Sequence, residues 1–348
     1  MRIGFFTDSY FPEIDGVTYT LNLWKERLEE NGHEVFIIYP SSEEYQSKDN
    51  EIPVKSVPNP FYEGYNVPVS ISSQNFPEDL DIVHCHSPAT IGIAGRVYAH
   101  RNNIPTIYTH HTPLEEYFIQ AVKLRSLAGI LGNAYVPLEN QFLKRFDLVT
   151  ASTDEIPRNV DIEKLPVGID LEFFQPTRKT FVDKLEIERP IIGYSGRLSP
   201  EKNVDEIIET AKEFDGSFLI IGEGPQKDQL MEDAPENVEF RDFLDREKLP
   251  EFYSGIDIFV TASTGDTLGL SPLEANACGT PVVAPDVYPF NNTLNAENGE
   301  KYSIETPRSM EQNILEALKN NYETREAVKK YSLSETIRQL EDLYNELV

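Results

Sequence analysis

Apolar positions along this chain alternate between two rhythms. Short unbroken apolar runs bounded by Gly, Pro, Asn or Asp read as buried strands, and segments with apolar residues three and four apart read as helices. Arg2–Thr7 predicts a strand ending at Asp8, Val17–Asn31 a helix with Leu21, Trp24 and Leu28 on one face, and Val35–Tyr39 a strand. Asp49–Pro68 is Pro-rich and reads as irregular. Ile82–Cys85 predicts a strand, Ile91–Asn102 a helix, Thr106–Thr109 a strand, a long helical stretch reaches Phe146, and Leu148–Ala151 is a strand. The second half repeats the scheme. Strands are predicted at Ile191–Ser195, Phe218–Ile221, Val238–Phe240, Ile258–Thr261 and Val282–Ala284. Helices are predicted at Val204–Phe214, Gln226–Asp233, Glu247–Ser254, Leu273–Cys278 and Met310–Lys319. Such alternation argues for parallel sheets with helices on both faces.

Between the halves, Leu165–Lys179 carries two prolines and a glycine and is the linker candidate. At ~150 residues per domain, 348 residues suit two domains. The predicted division is 1–168, 169–331 and a terminal segment 332–348. Ser332–Val348 reads as an amphipathic helix with Ile337, Leu340, Leu343 and Tyr344 on one face. No run of ~18 apolar residues is present, so no spanning helix is expected. The opening MRIGFFTDSYF turns polar too soon for a signal peptide. Cys85 and Cys278 give neither a disulfide framework nor a metal cluster, and a reducing cytoplasm suits them. With 31 basic against 59 acidic residues, the net charge is −28. Nucleic-acid binding is therefore not expected. Adaptation to a salt-rich cytoplasm is, since at ~1 M salt screening removes most self-repulsion.

Ligands in open α/β sheets bind beyond the carboxyl ends of the strands, so candidate chemistry lies just after each strand. Thr264–Ala284 sets one acid, Asp266, eight residues ahead of another, Glu274. Leu273–Cys278 opens as a helix with Pro272 at its start, Gly279 stops it, and Pro281–Ala284 reads as a strand. The backbone N–H groups of Gly269, Leu270 and Ser271 would then face an open helix N-terminus, an anion site. Two acids beside a phosphate site suit a sugar tied to a diphosphate. Gly193–Asn203 places Gly196, Arg197 and Lys202 after another strand, and a diphosphate takes a forked donor and a point charge. Gly16, after Asp15, lets the backbone approach a ligand at a helix start. Gly222 and Glu223 stand in a G-x-G turn that lacks the full dinucleotide fingerprint. Of six histidines, four crowd two strand ends: His84, His86, His110 and His111. They lack a Cys or Asp at ligand spacing, so no metal is expected. His84 and His110 read as core histidines. Asp79-Leu80-Asp81 reads as a solvated strand start. Phe118–Phe146 carries Lys123, Arg125, Lys144 and Arg145 against one acid, Glu139, and reads either as a packed helix or as a surface for an anionic membrane.

The acid pair Asp266–Glu274, with Arg197 and Lys202, resembles the acid–x7–acid motif of the retaining GT-B glycosyltransferases of family 4. The wording around it is most like the members that put glucose or a related sugar on diacylglycerol. Their usual first acid is Glu, and Asp266 is shorter by one methylene. Only the second of the family's Gly-rich pair, Gly16, is kept. The resemblance covers nearly the whole chain and implies two Rossmann-like parallel-sheet domains facing a central cleft, with the terminal helix crossing back to the first. It implies transfer of a hexose from a UDP-sugar, glucose first, to an acceptor hydroxyl with retention and without a metal or other cofactor. Arg197 and Lys202 would hold the diphosphate, Asp266 the sugar and Glu274 the ribose. Gly222 and Glu223 would border the base. His111 would orient the sugar or the acceptor hydroxyl, and His86 would stand on the acceptor side. The first acceptor expectation is a membrane glycerolipid at the inner face of the cell membrane. A soluble sugar, a glycan or a polyprenol-linked acceptor remains open, as do a UDP-sugar 2-epimerase and a non-catalytic UDP-sugar binding protein.

Overall fold

A computed structural model gives the fold and describes residues 1–13, 16–59, 65–111, 136–153, 158–266, 268–306 and 308–348. The chain forms two units: Met1–Gly168 with Ser334–Val348, and Ile169–Leu333.

The first unit is built on a parallel sheet. Its strands are β1 (Arg2–Phe6), β2 (Glu34–Pro40), β3 (Glu51–Val54), β6 (Ile82–Cys85), β7 (Thr106–His110), β8 (Leu148–Ala151) and β9 (Glu163–Lys164), in the order β3-β2-β1-β6-β7-β8-β9. A separate antiparallel pair, β4 (Ser56–Pro58) with β5 (Asn66–Pro68), lies outside it. The central strands are buried along almost their whole length, which is why they read as continuous apolar runs. Helices Gly16–Glu30 and Thr90–Asn102 follow β1 and β6. The sheet order reverses between β1 and β6, the crevice where parallel sheets bind ligands.

The C-terminal helix, Leu333–Leu347, belongs to this unit from Ser334 onward. Ile337, Leu340 and Tyr344 are buried, and Glu341 accepts from Asn31 and pairs with His33 at 3.0 Å.

In the second unit, β10 (Ile191–Ser195), β11 (Ser217–Ile221), β12 (Val238–Arg241), β13 (Ile258–Val260), β14 (Val282–Pro285) and β15 (Gly299–Tyr302) form a parallel sheet ordered β12-β11-β10-β13-β14-β15. Its reversal lies between β10 and β13. Ile192, Ile207, Ile208, Phe218, Ile220, Val260 and Ile314 pack one core against that sheet.

The structure corrects several expectations. Asp49–Pro68 is not irregular: it holds β3, β4 and β5. Pro53 hides β3 from sequence reading, yet β3 is an edge strand, where a proline is tolerated. Glu51 at its start is buried, accepting from the hydroxyls of Tyr10 (2.9 Å) and Tyr45. Strand β15, with Glu300 and Lys301 at its centre, is likewise an edge strand. Helix Val204–Ala211 ends before Phe214, and Glu247–Ser254 is a 3-10 turn, Arg246–Lys248, followed by helix Leu249–Gly255. The helix expected at Leu273 starts at Leu270, and Pro272 is its third residue. Gly269 caps it at φ 75°, and a Cβ there would lie 2.6 Å from the Phe290 ring, so glycine alone fits.

Candidate functional site

In the second unit, two loops leave the sheet side by side at its reversal point. The loop after β10 runs through Gly196 and Arg197 into a 3-10 turn, Pro200–Lys202. Asn203 then donates to the carbonyl of Ala262 (3.0 Å) and to Thr264 Oγ1, fastening this turn to the loop after β13. Thr264 N–H donates back to the Glu201 carbonyl. The result is an ion pair: Lys202 Nζ lies 2.5 Å from Asp266 Oδ1, with both side chains about one-fifth exposed. Arg197 is exposed, and among the described residues its guanidinium makes no ion pair. Its carbonyl accepts from the Tyr194 hydroxyl, whose ionisation burial and the nearby Asp266 and Glu201 charges oppose. The G-x-G turn closes on the same loop. A Cβ on Gly222 would sit 1.9 Å from the Gly196 carbonyl oxygen, so glycine permits this approach. Glu223 is exposed and paired with Lys227 at 2.6 Å.

Glu274 is the fifth residue of helix Leu270–Ala277. Its Oε2 accepts from the Tyr253 hydroxyl at 2.8 Å. Burial raises its pKa, opposed by that hydrogen bond and by the Arg246 charge. Arg246 stacks over Phe173, 4.3 Å from the ring centre. The helix is anchored at its far end, where the buried Asn276 donates to the carbonyls of Thr280 and Asn298 and accepts from the Asn298 amide at 2.9 Å. Gly269, Leu270 and Ser271 lie at the helix start, with Gly269 buried and the other two half-buried. Four sequence-selected side chains thus fall at this end of the unit: Lys202 and Asp266 in contact, Arg197 on Lys202's loop, and Glu274 on the helix after Asp266.

In the first unit, the loops after β1, β6 and β7 carry Asp8, His86 and His111. Asp8 accepts from the hydroxyls of Ser87 and Thr90 and from Ile91 N–H at 3.0 Å, so it fastens the His86 loop to the next helix. His86 Nδ1 lies 3.0 Å from His111 Nε2, and the His84 and His86 ring centres lie 4.0 Å apart with the planes tilted by 34°. Burial, with the other imidazoles nearby, holds His84 and His86 well below the usual histidine range and His111 down to about 3. All three rings are therefore neutral near pH 7.

His84 is a core histidine, tied at both nitrogens. Its Nε2 lies 2.6 Å from Thr109 Oγ1, which lies 2.7 Å from Thr150 Oγ1, and its Nδ1 lies 2.7 Å from the Tyr344 hydroxyl. The C-terminal helix is keyed into the strand ends through this chain. His110 is buried against Glu139, which pairs with Arg158 at 2.6 Å.

Gly16 is the exposed first residue of its helix, while Asp15, Lys123 and Arg125 lie outside the described residues. Lys144 and Arg145 are exposed, but Glu139 faces inward and does not offset them. Arg96 donates to the Arg145 carbonyl, joining the turn after 136–143 to helix Thr90–Asn102, and Ile93 and Val97 on that helix and Leu138 within 136–143 are exposed. Asp81 caps the Arg2 N–H at 2.6 Å, at the amino end of the sheet. Sequence reasoning missed Tyr253, Arg246 and the acceptor role of Asp8. Of these only Asp8, an acid directly after a buried strand, left a signal. Among the described residues, no cluster could hold a metal ion, and no helix is long and apolar enough to cross a membrane.

Two family models match: Glycosyltransferase Family 4 over residues 14–161, and Glycosyl transferases group 1 over residues 177–334. The chain is 29% identical to an alpha-monoglucosyldiacylglycerol synthase of Streptococcus pneumoniae, over 84% of this chain and 73% of that one. It is 26% identical to a GDP-mannose-dependent alpha-mannosyltransferase of Corynebacterium glutamicum, over 82% and 72%. Among solved structures, a sucrose-phosphate synthase of Thermosynechococcus elongatus superposes with a TM-score of 0.78 at 18% identity, covering 99% of this chain and 98% of that one. Anabaena HepE in complex with UDP superposes with a TM-score of 0.76 at 15% identity over the whole of both chains.

Proposed function

Because this chain belongs to the GT-B glycosyltransferases, joining a family 4 domain to a group 1 domain, we propose that it moves glucose from UDP-glucose to a glycerolipid hydroxyl with retention. The hexosyltransferase activity is the premise, and the donor, the acceptor and the stereochemistry are the proposal. The observation that carries it is the Lys202–Asp266 ion pair at the reversal point of the second sheet, with Arg197 on the adjoining loop. Donor binding inserts phosphate beside Lys202, which releases Asp266 to accept from sugar hydroxyls. The bond from the anomeric carbon to the phosphate oxygen breaks, the acceptor oxygen bonds to that carbon on the same face, and the acceptor proton passes to the departing phosphate. Arg197 and Lys202 neutralise the leaving charge, Glu274 accepts from the ribose, and His111 orients the sugar. Losing Lys202 removes a charge-assisted contact of roughly 1.5–3 kcal/mol, so Lys202→Ala is expected to lower kcat/KM for the donor by about tenfold to a hundredfold.

The similarity to a glucosyldiacylglycerol synthase supports the glycerolipid acceptor. So do exposed Ile93, Val97 and Leu138 near Lys144 and Arg145, a basic-apolar surface suited to an anionic membrane. The Asp79-Leu80-Asp81 carboxylates lie at the amino end of the sheet, and we expect turnover to survive chelation of divalent metal. The test is a panel of UDP-glucose, UDP-galactose and GDP-mannose against diacylglycerol vesicles, soluble sugars and buffer, with products read by mass spectrometry and anomeric configuration by NMR. UDP release that requires both UDP-glucose and vesicles is expected. Transfer from GDP-mannose alone, isomerisation of the donor, or binding without turnover would each sink it.

A further inference from the structure

His86 and His111 share one hydrogen bond, Nδ1 to Nε2 at 3.0 Å, and one proton must lie in it. Burial keeps both rings neutral, so each carries a single N–H. Two arrangements satisfy these conditions. Either His86 Nδ1–H donates, leaving His86 Nε2 bare and the His111 proton on Nδ1, or His111 Nε2–H donates and the His86 proton sits on Nε2. His86 Nε2 is buried and has no hydrogen-bond partner among the described residues. The second arrangement therefore buries an orphaned N–H, at a cost of ~1–3 kcal/mol. The first buries only an unpaired acceptor, which proteins tolerate better. The Phe5 and Trp24 rings flank His86 edge-on at 4.9 and 6.0 Å, but an N–H turned onto a ring recovers little. His84 cannot relieve it, since both its nitrogens are engaged.

We propose that His86 is a positioning residue that fixes His111 as the Nδ1–H tautomer. His111 then meets its ligand as a hydrogen-bond donor and offers no proton-accepting nitrogen. A donor suits an oxygen of the transferred sugar and excludes His111 as the base, which leaves the acceptor proton to the departing phosphate. That ligand assignment rests on the function proposed above; the tautomer does not.

Imidazole nitrogen NMR on the full chain with labelled histidine reads the tautomer directly, with resonances assigned by single His variants. The expected spectrum has His111 Nδ1 and His86 Nδ1 protonated and His111 Nε2 bare. In His86→Phe, the His111 proton should redistribute between its nitrogens, and kcat/KM for the donor should fall by about twofold to tenfold, the size of one neutral hydrogen bond. His86→Asn, which places an amide N–H near Nδ1, should restore both readouts. A protonated His111 Nε2 in the wild-type chain overturns the proposal, as does an unchanged His111 tautomer in a folded His86→Phe chain. If the tautomer is as stated but His111→Phe turns over normally, the assigned ligand fails while the positioning role stands.

Discussion

The two acids of Thr264–Ala284 are in different electrostatic states. Asp266 is held by Lys202, whereas Glu274 is half-buried, its pKa is raised by desolvation, and its carboxyl has only Tyr253 as a hydrogen-bond partner among the described residues. A carboxyl raised above its unfolded value contributes stability that is present at low pH and lost as pH rises through the folded value. Nucleotide binding has the opposite sense, because ribose hydroxyls favour the ionised acceptor. UDP affinity should therefore decline as pH falls, starting above the ordinary carboxylate range. Glu274→Gln should flatten that acid limb, weaken UDP by about tenfold to a hundredfold at neutral pH, and leave the fold as stable or more so. Calorimetric titration with UDP between about pH 5 and pH 8 checks this, since carboxyl titration falls at the acid end of that window. An acid limb unchanged in the variant would show that Glu274 does not carry it.

The element most exposed to test is the C-terminal helix, whose Tyr344 hydroxyl shares a hydrogen bond with His84 Nδ1 at 2.7 Å. Tyr344→Phe leaves a buried nitrogen unpaired and should destabilise the first unit by about 1–3 kcal/mol. Trp24 is the sole tryptophan and packs 6.0 Å from the His84 ring, so its fluorescence in urea reports that unit. His84, His86 and His111 are all depressed, so their contribution is fully present above the unfolded value of about 6.5 and is lost as pH falls below it. Three such groups give about 4 kcal/mol per pH unit, and a urea midpoint flat from pH 7 to pH 5 would contradict it. These elements also mark where sequence reading stops. Strands β1, β2, β6, β10 and β11 were legible because burial on both faces writes an unbroken apolar run. Edge strands β3 and β15 were not, because Pro53 and the Glu300–Lys301 pair suit an edge and erase that pattern. The start of helix Leu270–Ala277 was misplaced because its cap is a left-handed glycine with no side-chain signal, and Pro272 drew the boundary inward. In the candidate site, Arg197, Lys202, Asp266 and Glu274 were legible as charged residues after strands, and the family resemblance supplied the roles expected of them. Tyr253 and Arg246 were not, since only tertiary topology brings them to Glu274, and Glu139, counted against the basic residues of its segment, turns inward to Arg158 and His110.

At the scale of the whole molecule the governing quantity is the net charge of −28. Its exposed ion pairs, such as Lys227 with Glu223 and Asp242, contribute little to stability and are weakened by salt. Repulsion among the excess carboxylates acts over longer distances and is weakened by the same salt. The Debye length falls from ~30 Å at 0.01 M to ~10 Å at 0.1 M and ~3 Å at 1 M, so screening removes distant repulsion before it reaches contact pairs. Thermal stability should therefore rise with KCl, most steeply at low salt, and level off toward molar concentration. A general exclusion of salt from the surface would instead add stability steadily, without levelling. Melting temperatures across that KCl range separate the two, and a midpoint that falls as KCl is added would mean that local ion pairs, not net repulsion, dominate this surface.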